Sequence, residues 1–157
     1  MAGGVVRVAS GKHIRRAELE WLRRVSLAAL VMLVVQYGLG IILNLYIPIP
    51  ASDAHAGIMQ EIANGPAMLT LHALLGLALI GAALVLLVRA VRLEDRVIAV
   101  LAAAGLTAIG GAFASGEIFV HNGQSAASLA MALLTGVALL CYIGALTRVS
   151  AALRRRS

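Results

Sequence analysis

The sequence predicts an all-α integral membrane protein, a four-helix up-down bundle with both termini in the cytoplasm. Three observations carry that expectation. The 157 residues are 61% apolar with a mean hydropathy of +0.95, where soluble domains hold roughly 45–50% apolar residues. Four long apolar spans, at about 25–47, 66–88, 97–116 and 125–147, stand between charged flanks. At about 1.5 Å per residue each can cross a hydrocarbon core of ~30 Å. The third observation is where the charge lies, because all 13 Lys and Arg fall into three groups.

The first group, Arg7, Lys12, Arg15, Arg16, Arg23 and Arg24, precedes span one. The second, Arg89, Arg92 and Arg96, separates spans two and three, and the third, Arg148, Arg154, Arg155 and Arg156, follows span four. An up-down chain puts these groups on one side of the membrane. The other side, residues 48–65 and the turn at 117–124, has no Lys or Arg and holds Asp53, Glu61 and Glu117. The positive-inside rule then makes the basic side cytoplasmic, as in a bacterial inner (plasma) membrane. The net charge of +6 reads as a topology signal and a contact for anionic membrane lipid, and no nucleic-acid partner is expected.

Residues 1–24 form a basic cytoplasmic segment, starting as a flexible tail and turning into a short amphipathic helix that holds His13 at the lipid surface. Trp21 and Tyr46 suit the two interfaces of span one. "YIPIPAS" ends that span, since its prolines stop a helix. The "AHA" at 54–56 looks like a signal cleavage site, but signal cores run to only ~7–15 apolar residues, so span one is expected to be an uncleaved anchor. Pro66 suits the first turn of span two. The short "RAVRLEDR" makes spans two and three antiparallel neighbours, "HNGQ" forms the turn before span four, and 148–157 is a basic cytoplasmic tail. The lone Cys141 lies within span four and has no intrachain partner for a disulfide.

Helices in lipid associate through close backbone approach, which small residues permit. Span three carries the strongest such ridge: Gly105, Gly110, Gly111, Ala112, Ala114, Ser115 and Gly116. That ridge belongs deep in the bundle, or in the contact of a homodimer or larger membrane complex.

Polar residues inside the spans point to a site. Gln36, Gly40 and Asn44 recur every four residues and share one helix face, as do His72 and Gly76. A shift of 59 residues lays "LHALLG" (71–76) over "AMALLT" (130–135) and matches His72 to Met131. Both lie six residues beyond the first residue of their span, at a depth of ~9 Å, and spans two and four face each other diagonally in an up-down bundle. A His/Met pair is one of the axial ligand sets of haem iron, although methionine also serves as a flexible core filler. Glu117 and His121 form an i, i+4 pair if span three stays helical to the turn. They are read as an interfacial salt bridge, a metal pair, or further ligands with His72. Asp53, His55 and Met59 could bind copper or zinc.

"VVQYGLG" in span one, "LHALLG" in span two and the equivalent spot in span four resemble the plan of one half of haem A synthase and of small bacterial cytochrome b-like bundles. That resemblance implies a b-type haem held between spans two and four. His72 matches the first ligand, and Met131 stands where those families carry a second histidine. Gly76 would make room for the porphyrin, with Gln36 and Asn44 as polar contacts and His121 as an alternative ligand.

No Asp, Glu, Lys or Arg lies at the centre of a span, which argues against a proton-coupled exporter. Phosphate loops, HExxH and GxSxG are missing as well. Two readings stay open: a haem-binding or redox-associated bundle, and a cofactor-free accessory or assembly subunit in which His72 is a buried hydrogen-bond partner of Asn44, Thr70 or Ser128. A small transporter or lipid-binding protein ranks third.

Overall fold

The computed structural model describes residues 3–46, 66–122 and 124–155. Among the described residues there are four helices and no strand: α1 (Gly3–Tyr46), α2 (Ala67–Arg92), α3 (Arg96–Asn122) and α4 (Ser125–Arg154). All four are long and apolar enough to cross a membrane, and the chain is a multi-pass membrane protein. α1 packs on α2 and α4, and α3 packs on the same two. The helices thus close into a square with α2 and α4 on one diagonal. The expectations placed on Asp53, His55, Met59 and Glu61 fall outside the described residues, as does the side chain of His13.

The helices overrun the apolar segments. α1 begins at Gly3, where a flexible tail was expected, and α4 runs through the expected basic tail as far as Arg154. Apolarity marks where lipid begins, but a helix ends only where its hydrogen bonding is interrupted. No proline lies between Gly3 and Tyr46, and each residue added to a formed helix contributes one further bond. Pro66 precedes α2 instead of sitting in its first turn, and its carbonyl accepts from the Leu69 amide at 2.8 Å and the Thr70 amide at 3.2 Å.

The turn between α2 and α3 is built by three residues. Leu93 caps α2, Glu94 adopts a left-handed φ of 58°, and the Asp95 carboxylate accepts from the amides of Val97 at 3.1 Å and Ile98 at 3.3 Å. This side-chain cap satisfies donors that the first turn of α3 would leave unpaired. Charged contacts tie the same end together. Arg89 donates to Glu18 at 2.9 Å and lies over the Trp21 ring, 5.0 Å from its centre. Arg15 donates to the Leu93 carbonyl at 3.3 Å, and Arg148 lies 3.7 Å from Asp95. Arg15, Arg89 and Arg148, one from each basic group, therefore share one end of the bundle.

Near that end the interior is solid, with Leu22, Leu86, Ile98, Tyr142 and Val149 almost fully buried. α3 and α4 approach closely because glycines on one receive side chains of the other. A Cβ on Gly105 would stand 2.8 Å from the Tyr142 ring, and one on Gly111 would stand 3.1 Å from Leu134. Within the small-residue ridge of span three, Gly105 and Gly111 are thus filled by the chain's own α4, whereas Gly110 has no neighbour within 4 Å of a Cβ placed there and Ala114 is exposed. Outward, Val34, Leu45, Leu77, Leu84, Leu133 and Leu140 are exposed, the apolar coat that a lipid environment requires.

Candidate functional site

The half of the bundle away from the arginines is hollow. A cavity of about 200 Å³ lies between the C-terminal halves of α1 and α3 and the N-terminal halves of α2 and α4. Gln36, Gly40 and Asn44 all line it, so the four-residue spacing does place them on one cavity-lining face. His72, Gly76, Met131 and Glu117 line it too, whereas His121 is not on its wall.

The pairing of residues across helices differs from the one expected. The His72 imidazole lies against Gly40 of α1, where a Cβ would stand 3.3 Å from Cε1. Gly76 faces Gln36 and Phe113 instead, at 3.3 and 3.6 Å from a Cβ placed there. Gly40 makes the room for His72, and the space beside Gly76, expected to admit a flat ligand, is taken by Gln36 and Phe113. Met131 nests in the same manner, its Sδ 3.3 Å from the Cβ position of Gly116 in α3. The two residues matched by the 59-residue shift thus line one cavity from diagonal helices. Their depths differ by one residue, ~1.5 Å of rise, because α2 starts at Ala67 while α4 starts at Ser125.

Hydrogen bonds fix part of the wall and leave part unsatisfied. The Gln36 amide Nε2 donates to the His72 carbonyl at 2.8 Å, and the Ser128 hydroxyl donates to Asn44 Oδ1 at 3.2 Å. Thr135 donates to the Met131 carbonyl of its own helix at 2.8 Å. Asn44 is therefore held by Ser128 and not by His72. His72 Nδ1 and Gln36 Oε1 are buried with no hydrogen-bond partner. An unsatisfied buried polar atom costs about 1–3 kcal/mol, and a lipid environment offers no water to relieve it.

Glu117 is exposed at the cavity's edge. α3 is helical through Asn122, so Glu117 and His121 do stand one turn apart on it. Among the described residues no group of three or more His, Cys, Asp or Glu could hold a metal ion, and His72, Glu117 and His121 do not gather into one.

Sequence reasoning missed the aromatic wall. Phe113 and Phe119, the only phenylalanines of the chain, both line the cavity together with Tyr37. The signal was their scarcity, since aromatic residues make up 4% of the sequence. Tyr37 and Ile41 line the cavity while being 40% and 44% exposed, so the cavity reaches the outer surface of α1. No protein-family model, curated protein or solved structure matches the chain.

The arrangement can hold a small, mostly apolar molecule. An engineered apolar cavity of ~150 Å³ in another protein takes up benzene, while sites for drug-sized ligands measure ~300–1,000 Å³. A single ring fits the space; a porphyrin needs the helices to part.

Proposed function

We propose that this membrane protein is a ligand-binding bundle that takes a small lipid-soluble molecule into the cavity between its four helices. The observation that carries this reading is the contrast between the two halves. One end is packed to near-complete burial, whereas the other keeps a cavity lined by the polar residues Gln36, Asn44, His72 and Ser128 among apolar ones. The placement of Arg and Lys supports an orientation with the packed, arginine-bearing end in the cytoplasm and the cavity in the outer half of the membrane.

The test is a filled cavity. Ala132 lines the space, and Ala132→Phe should abolish saturable binding of small apolar probes to the purified protein in lipid nanodiscs. If wild type and Ala132→Phe take up such probes equally, or neither takes them up, the reading fails.

A second reading is favoured by one observation: His72 and Met131 line the same cavity from diagonally opposed helices. This supports a b-type haem that His72 and Met131 would hold, once the helices part to admit a porphyrin. When bound, the haem would supply one-electron redox chemistry at that place. The absorption spectrum of protein expressed with a haem supply decides it. A Soret band that is lost in both His72→Ala and Met131→Ala assigns the cavity to haem, and a wild-type spectrum without one removes that reading.

A further inference from the structure

One carboxylate on the cavity wall narrows the class of its occupant. Resting on the ligand-binding reading above, we infer that the cavity takes an amphipathic cation, an ammonium group on one slim apolar tail. The ammonium stands at the lip beside Glu117, and the tail runs inward between the helices.

Charge sets the sign. Among the described residues that line the cavity, Glu117 is the only Asp, Glu, Lys or Arg, and it is exposed. A carboxylate at the lip keeps its hydration, so it awaits a counterion without the cost of a buried charge. The protein supplies no Lys or Arg nearby. Arg96, at the far end of α3, is about 31 Å of helix rise away. The connections at the hollow end, residues 47–66 and 122–125, contain Asp53 and Glu61 and no Lys or Arg. An approaching cation meets an acidic field there, which repels an anion.

Depth sets the orientation. Glu117 lies shortly before the end of α3 at Asn122, about 7.5 Å of rise from it, while most of the wall lies deeper. Phe113, one turn deeper on the same helix face, lines the cavity too, and an aromatic face attracts an ammonium that comes within about 6 Å. The cation lies as a snorkelling lysine does, with its head at the water boundary and its stem along apolar surface.

Shape sets the tail. Wall residues run from Leu33 to Asn44 on α1 and from Ile109 to Val120 on α3, about 16 Å of rise on each. A volume of about 200 Å³ drawn out over that length is slim and suits one unbranched tail. A two-chain phospholipid is larger than the ligands of ~300–1,000 Å³ sites and brings a phosphate that Glu117 repels.

The experiment uses the full chain in phosphatidylcholine nanodiscs with three probes of one tail length: octylamine, 1-octanol and octanoate. At neutral pH and equal concentration in the bilayer, octylamine should bind saturably and roughly ten-fold tighter than 1-octanol, the combined scale of an exposed ion pair and a cation–π contact. Raising the salt from ~0.1 to ~1 M should remove most of that margin, because the Debye length falls from about 10 to about 3 Å, and should leave 1-octanol binding unchanged. Glu117→Gln keeps the shape of the side chain and should bring octylamine down to the 1-octanol affinity, whereas Ala132→Phe should abolish the binding of both. The probe comparison and its salt dependence are read on wild type, so they stand even if a variant misfolds. Equal binding of octylamine and 1-octanol would overturn cation recognition while leaving a ligand cavity. An octylamine preference that survives Glu117→Gln would overturn the place of the ammonium, and one that survives Ala132→Phe would overturn the cavity as its site. Preference for octanoate would overturn the sign of the charge. Saturable binding of no probe would overturn the ligand-binding reading itself.

Discussion

The ring of Tyr142 in α4 occupies the volume that a side chain at Gly105 in α3 would need, with Cε2 only 2.8 Å from that Cβ position. Neither partner can give way easily, because Gly105 and Tyr142 are both buried. Gly105→Ala should destabilise the bundle by about 1–3 kcal/mol, the usual penalty for overpacking. Thermal unfolding in detergent measures it, and an unchanged midpoint would show that α3 and α4 slide apart at little expense.

The hydroxyl of the same tyrosine gives the opposite expectation. It is buried without a hydrogen-bond partner, so Tyr142→Phe removes an unsatisfied group and keeps the ring. The unfolding midpoint should hold or rise, by the equivalent of up to about 1 kcal/mol. A clear fall would mean that the hydroxyl is bonded in the membrane.

The α2–α3 turn separates capping from ion pairing. Asp95 accepts two amides of α3 and also faces Arg148 at 3.7 Å. Asp95→Asn keeps a capping oxygen and loses the pair, which is long and part-exposed, so it should stay within about 0.5 kcal/mol of wild type. Asp95→Ala loses the cap and should cost about 1 kcal/mol. Next to it, Glu94→Gly should stabilise by up to about 1 kcal/mol, because a φ of 58° suits glycine. Urea or thermal unfolding of the three variants in one detergent would rank them.

Orientation has its own measurement. If the basic end faces the cytoplasm, as proposed, a fluorescent protein fused after Ser157 should fluoresce in bacterial cells, and alkaline phosphatase at the same place should be inactive. The reverse pattern would place the cavity on the cytoplasmic side.

The four helices were legible in the sequence because lipid imposes a simple rule on it: about twenty apolar residues for each crossing. Their ends were not, because hydropathy reports the lipid boundary while the helix follows its own hydrogen bonds, as α1 and α4 show. Within the site, faces along a single helix were legible, and Gln36, Gly40 and Asn44 do share one. Register between helices was not. Nothing in "LHALLG" reveals that His72 meets Gly40 and that Gly76 meets Gln36, because that depends on how far α1 slides along α2. The aromatic wall escaped for the same reason, since Phe113 and Phe119 come from a helix read for its small residues and for Glu117 and His121.

The charged knot that joins Glu18, Arg89, Leu93, Asp95 and Arg148 has a mechanical consequence. It pins the helices at one end by ion pairs and by the short covalent turn at Leu93–Asp95. Toward the other end, α3 ends at Asn122 only three residues before α4 begins at Ser125, and the ties include two neutral contacts, Gln36 to His72 and Ser128 to Asn44. The charged ties thus lie at the end of the bundle opposite the cavity. Salt that screens those ion pairs should therefore leave the cavity's wall in place.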